Sequence, residues 1–271
     1  MAQNGVLKYA KVVAKQARGR PGWLENILWH ITSYLVTNTS IIFLWVFFFV
    51  LNRVTVIGRE FVGEEPNTLL LSNHQSMIDS IPLGIAAFYP KSWIMPWLVP
   101  WHPAARENFF KNRFIAWYAT HTRCIPVKPG RRDVHAIHKM IEVLPNGSII
   151  LFPEGTRSRT GDVDDGRPGA GLVALATRPR IIPVAIDGMQ DVLPIGEKRP
   201  KIGQRIYIKF GPPVDYSELE DKPRTKETAQ ALVDKAMEAI RTQHAEIRQM
   251  RLARQEQKER KKAKKTAKKK A

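Results

Sequence analysis

Cysteine is nearly missing: Cys124 stands alone among 271 residues. A single thiol excludes an internal disulfide framework and a cysteine-built metal cluster, and it fits a reducing compartment. The pattern G-x-S-x-G, which would set a nucleophilic serine on a sharp strand-to-helix elbow, does not occur. The first stretch, "MAQNGVLKYAKVVAKQARGRPG", is basic and mildly amphipathic and does not read as a secretory leader. Long apolar runs are scarce. The longest, Ile41 to Leu51, has 11 residues, about 16 Å as a helix, where a bilayer core asks for roughly 30 Å. No internal repeat is visible.

Acid is in short supply, with 25 Asp and Glu against 43 Lys and Arg, a net charge of +18. Such a surplus points to anionic partners: nucleic acid, phospholipid headgroups or phosphorylated ligands. Between Ala245 and Ala271 there are 12 Lys or Arg and 3 Glu, and this net of +9 is half of the total. Its last part, "KERKKAKKTAKKKA", has almost nothing to bury and is expected to be disordered or frayed. No nucleic-acid module or aromatic RNA-binding signature accompanies the charge, so membrane phospholipid is the expected partner and no specific nucleic acid is.

What apolar sequence there is gathers in "ITSYLVTNTSIIFLWVFFFVLNR". Thr32, Ser33, Thr37, Asn38, Thr39 and Ser40 interrupt it, so the expectation is a helical pair, about 23–36 and 39–52, dipping into one leaflet. A full span and a soluble core helix are the alternatives. Trp23, Trp29, Tyr34 and Trp45 suit an interface, and Arg53 can reach headgroups.

Beyond Arg53 the texture changes. Apolar or β-branched runs at 54–58, 67–72, 123–127, 147–152, 180–186 and 205–211 alternate with helical patterns near 79–88, 108–121, 132–144 and 170–177. This alternation predicts an α/β fold with a central, mostly parallel or mixed sheet flanked by helices. A later helix carries Ala229, Leu232, Val233, Ala236, Met237 and Ile240 at helical spacing, so one face docks on the body. Three regions are expected: a membrane-associated segment over 1–53, a catalytic-sized domain over 54–243, and a basic tail over 244–271.

Two polar stretches end apolar strands. In "LLLSNHQSMIDS" the leucines run straight into Asn73 and His74, with Asp79 five residues beyond the histidine. On a regular helix residues five apart do not share a face, so His74 and Asp79 meet only if the histidine precedes the helix. A carboxylate on one ring nitrogen fixes the tautomer and leaves the other nitrogen to take a proton. The plain alternative is a capped turn. In "GSIILFPEGTRSRTG" the strand ends at Pro153, followed by Glu154, Gly155, Thr156 and Arg157. Gly155 permits a tight backbone beside a ligand, and the Arg157 fork suits phosphate oxygens. The plain alternative is a surface turn pairing Glu154 with Arg157. In a parallel sheet both loops would face one crevice.

Together these stretches resemble the glycerolipid acyltransferase superfamily, and within it the lysophosphatidate acyltransferases. N-H-x-x-x-x-D is present as Asn73 to Asp79, F-P-E-G-T-R-S as Phe152 to Ser158, and "IIPVAIDG", Ile181 to Gly188, matches a further block. The resemblance covers about residues 54–215. It implies a glycerol-3-phosphate acyltransferase-like fold, with His74 as general base and Asp79 as its orienting carboxylate. It also implies substrate binding by Asn73, Glu154, Gly155, Thr156 and Arg157. The implied reaction moves an acyl group from acyl-CoA or acyl carrier protein to the sn-2 hydroxyl of 1-acyl-glycerol-3-phosphate, with no metal, cofactor or covalent acyl-enzyme. The chain departs from the pattern in two places. Lys128 stands where the family has an arginine, so Lys128, Arg131 or Arg132 serves there, and Arg167 takes the place of a lysine after the glutamate block.

Other features carry weaker chemistry. "DVDDG" lacks the carboxylate that would close a calcium loop. His135 and His138 read as an ordinary helix face rather than a metal pair. "PKSWIMPWLVPWHP" is either an acyl-chain entrance or a cap on the core.

Overall fold

The computed structural model describes residues 23–128 and 133–270. Its centre is a five-stranded sheet in the order β1 (Arg53–Ile57), β7 (Arg205–Phe210), β6 (Arg180–Asp187), β2 (Thr68–Ser72), β5 (Ser148–Leu151). Every neighbouring pair is parallel except β6 with β7. Beyond β5, Trp101 forms a parallel bridge with Ile149 and leads into β3 (His102–Ala105), which pairs in parallel with β4 (Cys124–Val127). The sheet is mixed but mostly parallel, as expected.

Strand alternation explains the layers. Leu69, Leu71, Ile149, Leu151 and Ile181 face α4 (Val134–Val143), α5 (Gly169–Thr177) and α6 (Lys226–Lys270). Leu70, Ile150 and Ile182 face the other way, against Leu83 of α2 (Ser80–Phe88) and Phe48. Both faces are covered, which is why the strand sequences read as continuous apolar runs. Each fully buried leucine or isoleucine contributes about 1.5–3 kcal/mol relative to exposure. At Gly171 of α5 an added Cβ would come within 2.0 Å of the Ala229 carbonyl oxygen, so only glycine lets α5 and α6 approach this closely. The predicted helix over 108–121 divides into one turn, Arg106–Phe109, and α3 (Arg113–His121). Asn112 caps α3 by accepting from the N–H groups of Phe114 and Ile115.

Two expectations are corrected. The expected helical pair is one continuous helix, α1 (Trp23–Trp45), extended by a π-helical turn over Val46–Leu51. The polar residues do not break it because they find partners. Thr32, Asn38 and Ser40 bond back to carbonyls four residues earlier, while Ser33 and Thr37 both donate to the His121 carbonyl at 2.5 and 3.0 Å. The stretch Ile27–Leu51 is 25 residues long, so by length and composition it is able to cross a membrane.

The second correction concerns the tail, which continues as helix through Lys270. Ala, Lys, Arg, Gln and Glu are among the best helix formers, and no Gly or Pro occurs after Pro223 to stop the helix. The boundary expected at 243/244 therefore falls inside α6.

Candidate active site

β2 delivers its polar residues at its carboxyl end. Asn73 is fully buried, and its side chain imitates a peptide unit. Nδ2 donates to the Ile186 carbonyl and Oδ1 accepts from the Ile186 N–H, both at 2.9 Å. The sequence reading sets Asn73 among the substrate-binding residues; in the structure both ends of its amide bond β6 and fix where the strand ends.

His74 follows in the loop before α2. Its Nδ1 lies 2.9 Å from Asp79 Oδ2, and the same oxygen accepts the N–H groups of Gln75 at 2.6 Å and Ser76 at 2.8 Å. Asp79 therefore closes a tight turn as well as orienting the ring. With Nδ1–H donated to the carboxylate, Nε2 is the ring's proton acceptor. Phe152 stacks on the imidazole at 4.1 Å between centroids and 17° between planes, which fixes the ring from the second loop. The His74 side chain keeps 18% exposure while Asp79 has none. A tethered imidazole with its far edge reaching solvent is the arrangement a general base requires.

The second loop leaves β5 beside the first and is tied to it twice. Ser158 N–H donates to the His74 carbonyl at 2.8 Å, and the His74 N–H donates to Glu154 Oε1 at 3.3 Å. Glu154 is 2% exposed. Expected among the substrate-binding residues, it spends Oε1 on the main chain of the histidine loop. Burial pushes its pKa up to about 8, and the nearby charges of Asp164 and Asp79 add to the rise. Pairing of Glu154 with Arg157, the plain turn, is not among the contacts made by the described residues.

Gly155, Thr156 and Arg157 face outward at the opening. Gly155 has φ +70°, and the Arg167 side chain packs across it, so that an added Cβ would stand 3.4 Å from Arg167 Cδ. Arg167 N–H donates to the Pro153 carbonyl at 2.8 Å, which holds this residue against the loop. Neither Arg157 nor Arg167 makes an ion pair among the described residues. Guanidinium groups without carboxylate partners, on the loop tied to His74 and packed against it, suit an anion.

Lys128 is not brought into contact with this group. Extending the strand register past its last pairs (Ala105 with Val127, Trp101 with Ile149, Leu71 with Leu151) sets Lys128 level with His74 but three strands across. At ordinary strand spacing that is about 14 Å. Arg131 and Arg132 lie outside the described residues.

One set of residues escaped the sequence reading. Gln75 donates to the Gly161 carbonyl at 2.9 Å and to Asp187 Oδ1 at 3.3 Å, while its Oε1 accepts the Met189 N–H. Asp187 in turn receives Arg251 Nε from α6 at 2.5 Å, with His244 3.7 Å away. Burial alone would raise the pKa of Asp187, but the nearby His244 and the Arg251 guanidinium outweigh it and hold the carboxyl well below the usual range. The histidine loop is thus anchored to α6 through one fully buried carboxylate.

Comparison with known proteins agrees with this arrangement. A family model described as Acyltransferase matches residues 53–187, from β1 to the end of β6, and includes both loops. Over 150 residues the chain is 26% identical to 1-acyl-sn-glycerol-3-phosphate acyltransferase LPAT1, chloroplastic, of Arabidopsis thaliana, covering 54% of this chain and 39% of that one. Over 174 residues it is 27% identical to the 1-acyl-sn-glycerol-3-phosphate acyltransferase of Borreliella burgdorferi, covering 62% and 64%. The matches thus span from about two fifths to just under two thirds of these relatives' lengths. The crystal structure of the 1-acyl-sn-glycerophosphate acyltransferase PlsC from Thermotoga maritima shares the fold, with a TM-score of 0.58 at 23% identity over 83% of this chain and 97% of that one. The chain belongs to the acyltransferase family.

Proposed function

We propose that the protein transfers a fatty acyl group from an acyl thioester, acyl-CoA or acyl carrier protein, to the sn-2 hydroxyl of 1-acyl-glycerol-3-phosphate, giving phosphatidate. The observation that carries this reading is the exposed edge of a carboxylate-tethered imidazole, tied by two hydrogen bonds to a second loop whose arginine, Arg157, makes no ion pair among the described residues. His74 Nε2 takes the hydroxyl proton as the oxygen attacks the thioester carbonyl. The tetrahedral oxyanion then collapses, the C–S bond breaks, and the imidazolium returns its proton to the departing thiolate. Asp79 holds the ring and stabilises its charged form, with Glu154 bracing the loop from below. Gly155, Thr156, Arg157 and Arg167 receive the acceptor and its phosphate.

Direct attack by the acceptor, with no acyl-enzyme, is supported by the state of the nearby serines. Ser76 is fully buried and donates to the Leu193 carbonyl, and Ser158 is 3% exposed and pairs with Thr160. No cofactor beyond the thioester carrier is needed for this chemistry.

Attachment to the membrane follows from α1. Ser33 and Thr37 bind it to α3, and Tyr34 donates to the Trp93 carbonyl, while Leu28, Leu35, Phe43 and Val50 remain 55–72% exposed on its outer side. A helix with one side fastened to the body and the other side apolar suits insertion into one leaflet, where lysophosphatidate and its product reside. The cytoplasmic face of the inner or plasma membrane is the location that fits.

The deciding experiment offers purified protein a set of lyso-lipids with acyl-CoA and with acyl carrier protein thioester, identifying products by mass spectrometry. Phosphatidate is expected from lysophosphatidate. Turnover of a different lysophospholipid in preference to it would replace the acceptor, and no acyl transfer to any acceptor would overturn the reading.

A further inference from the structure

A second basic concavity is lined, among the described residues, by none of the residues of the His74 and Glu154 loops. Between α6 and the edge of the sheet runs a groove of about 790 Å³, lined by Arg205, Arg254, Lys258 and Lys261, with Tyr207 and Met250 also in its wall. Among the described residues none of its lining is acidic. The contrast with the preceding part of α6 is sharp. Arg241 pairs with Asp165, Arg248 with Asp162, and Arg251 with both Asp187 and Asp191. The four groove cations have no such partner among the described residues. Four like charges converging on one concavity repel one another unless an anion joins them. Tyr207 is 3% exposed, and its hydroxyl makes no hydrogen bond to the described residues, leaving a donor in the same wall.

The position of the groove identifies the anion. Arg205 is the register partner of Arg53, the second residue beyond the π-helical end of the apolar helix. The Gly203 N–H bonds the Leu51 carbonyl at 2.9 Å, so this loop is stitched to the helix end. Val50, Leu51 and Ile202 are 48–60% exposed at that junction. An apolar surface therefore passes directly into a cationic groove, which is the order of layers at a membrane: acyl chains, then phosphates. We infer that the groove binds the phosphate headgroup of an anionic phospholipid at a site separate from the catalytic opening. The inference rests on the reading of α1 as lipid-facing. Because α6 also carries Arg251, a headgroup held by Arg254 sits three residues from the anchor of the histidine loop.

The test compares full-length protein on vesicles of phosphatidylcholine alone with vesicles containing 30 mol% phosphatidylglycerol (about one lipid in three, enough for a plainly negative surface), using cosedimentation. Wild type is expected to bind the anionic vesicles at least about tenfold more tightly. Arg205→Gln with Arg254→Gln, and separately Lys258→Gln with Lys261→Gln, are expected to lose that preference. Lys222→Gln with Lys226→Gln removes equal charge at the other end of α6, outside the groove, and is expected to keep it. Equal loss in all three double variants, or retention in both groove variants, would overturn the site in favour of diffuse charge. Abolition of the preference by inorganic phosphate at matched ionic strength would overturn the lipid headgroup as the source. Retained binding to phosphatidylcholine with no anionic preference refutes the groove alone, whereas loss of phosphatidylcholine binding refutes the reading of α1 beneath it.

Discussion

Glu154 Oε1 accepts the backbone N–H of His74 across 80 residues of sequence, so the second loop sets the height of the histidine in the first. The acceptor is a carboxyl group kept protonated at neutral pH by burial. An ionised glutamate there would face Asp79 and Asp164 in a medium that solvates it poorly.

That arrangement makes stability depend on pH in a definite direction. In the unfolded chain Glu154 loses its proton near 4.5, and in the folded chain near 8. The folded state therefore holds the proton more tightly. Its advantage is complete below about pH 4.5 and is lost as pH rises through about 8. Glu154→Gln keeps the amide shape without the proton, so the difference in unfolding midpoint between variant and wild type should move in the variant's favour from about pH 5 to about pH 9. A difference that stays constant over that range would clear Glu154 of the titration.

Replacing His74 with Ala should lower acyl transfer by about 10²–10⁴-fold while leaving the far-ultraviolet circular dichroism unchanged. Asp79→Asn should lower kcat to a similar extent and also reduce the unfolding midpoint, because Asp79 accepts the Gln75 and Ser76 N–H groups as well as the ring. Activity near the wild-type level in either variant would remove the base assignment.

For Arg157→Ala the effect should fall on the acceptor. Losing a charge-assisted contact of about 1.5–3 kcal/mol corresponds to a rise in KM for lysophosphatidate of roughly 10- to 100-fold, with KM for the acyl donor unchanged. Arg167→Ala should act in the same sense. Equal rises for both substrates would point to a distorted loop.

Arg251→Met strands Asp187, a fully buried carboxylate whose remaining neighbours are the His244 ring and the Gln75 amide. Removal of one partner of a buried pair costs about 3–5 kcal/mol, measurable as a shift in the urea midpoint. The coupled loss at the His74 loop should appear as faster amide exchange at Gln75 and Ser76. A midpoint within error of wild type would show that the network carries no load.

The central sheet strands, the site loops and the meeting of His74 with Asp79 were legible because each is local. Apolar runs mark the central strands, and the five-residue spacing demands a turn before the helix. β3 was not legible: "HPAA" has no strand pattern and exists because Trp101 pairs with Ile149 and His102 with Arg123. Asn73 and Glu154 looked like ligand groups because polar residues after a strand so often are, and only the fold reveals their main-chain partners. The link from Gln75 through Asp187 to Arg251 joins positions far apart in the chain, and Arg251 is camouflaged among the 12 basic residues of its segment. The helical end of α6 was hidden for a different reason: propensity favours helix there although residues 252–261, which lead into it, are exposed.

The double hydrogen bond from Ser33 and Thr37 to the His121 carbonyl has a practical corollary. Trimming away the first fifty residues to obtain a detergent-free fragment would strip that oxygen of both donors and lay bare Trp93 and the Phe48 pocket in the same stroke. The greasy segment is a piece of the protein's interior architecture as much as its mooring, and amphiphile-supported full-length preparations are the form in which the molecule should be handled.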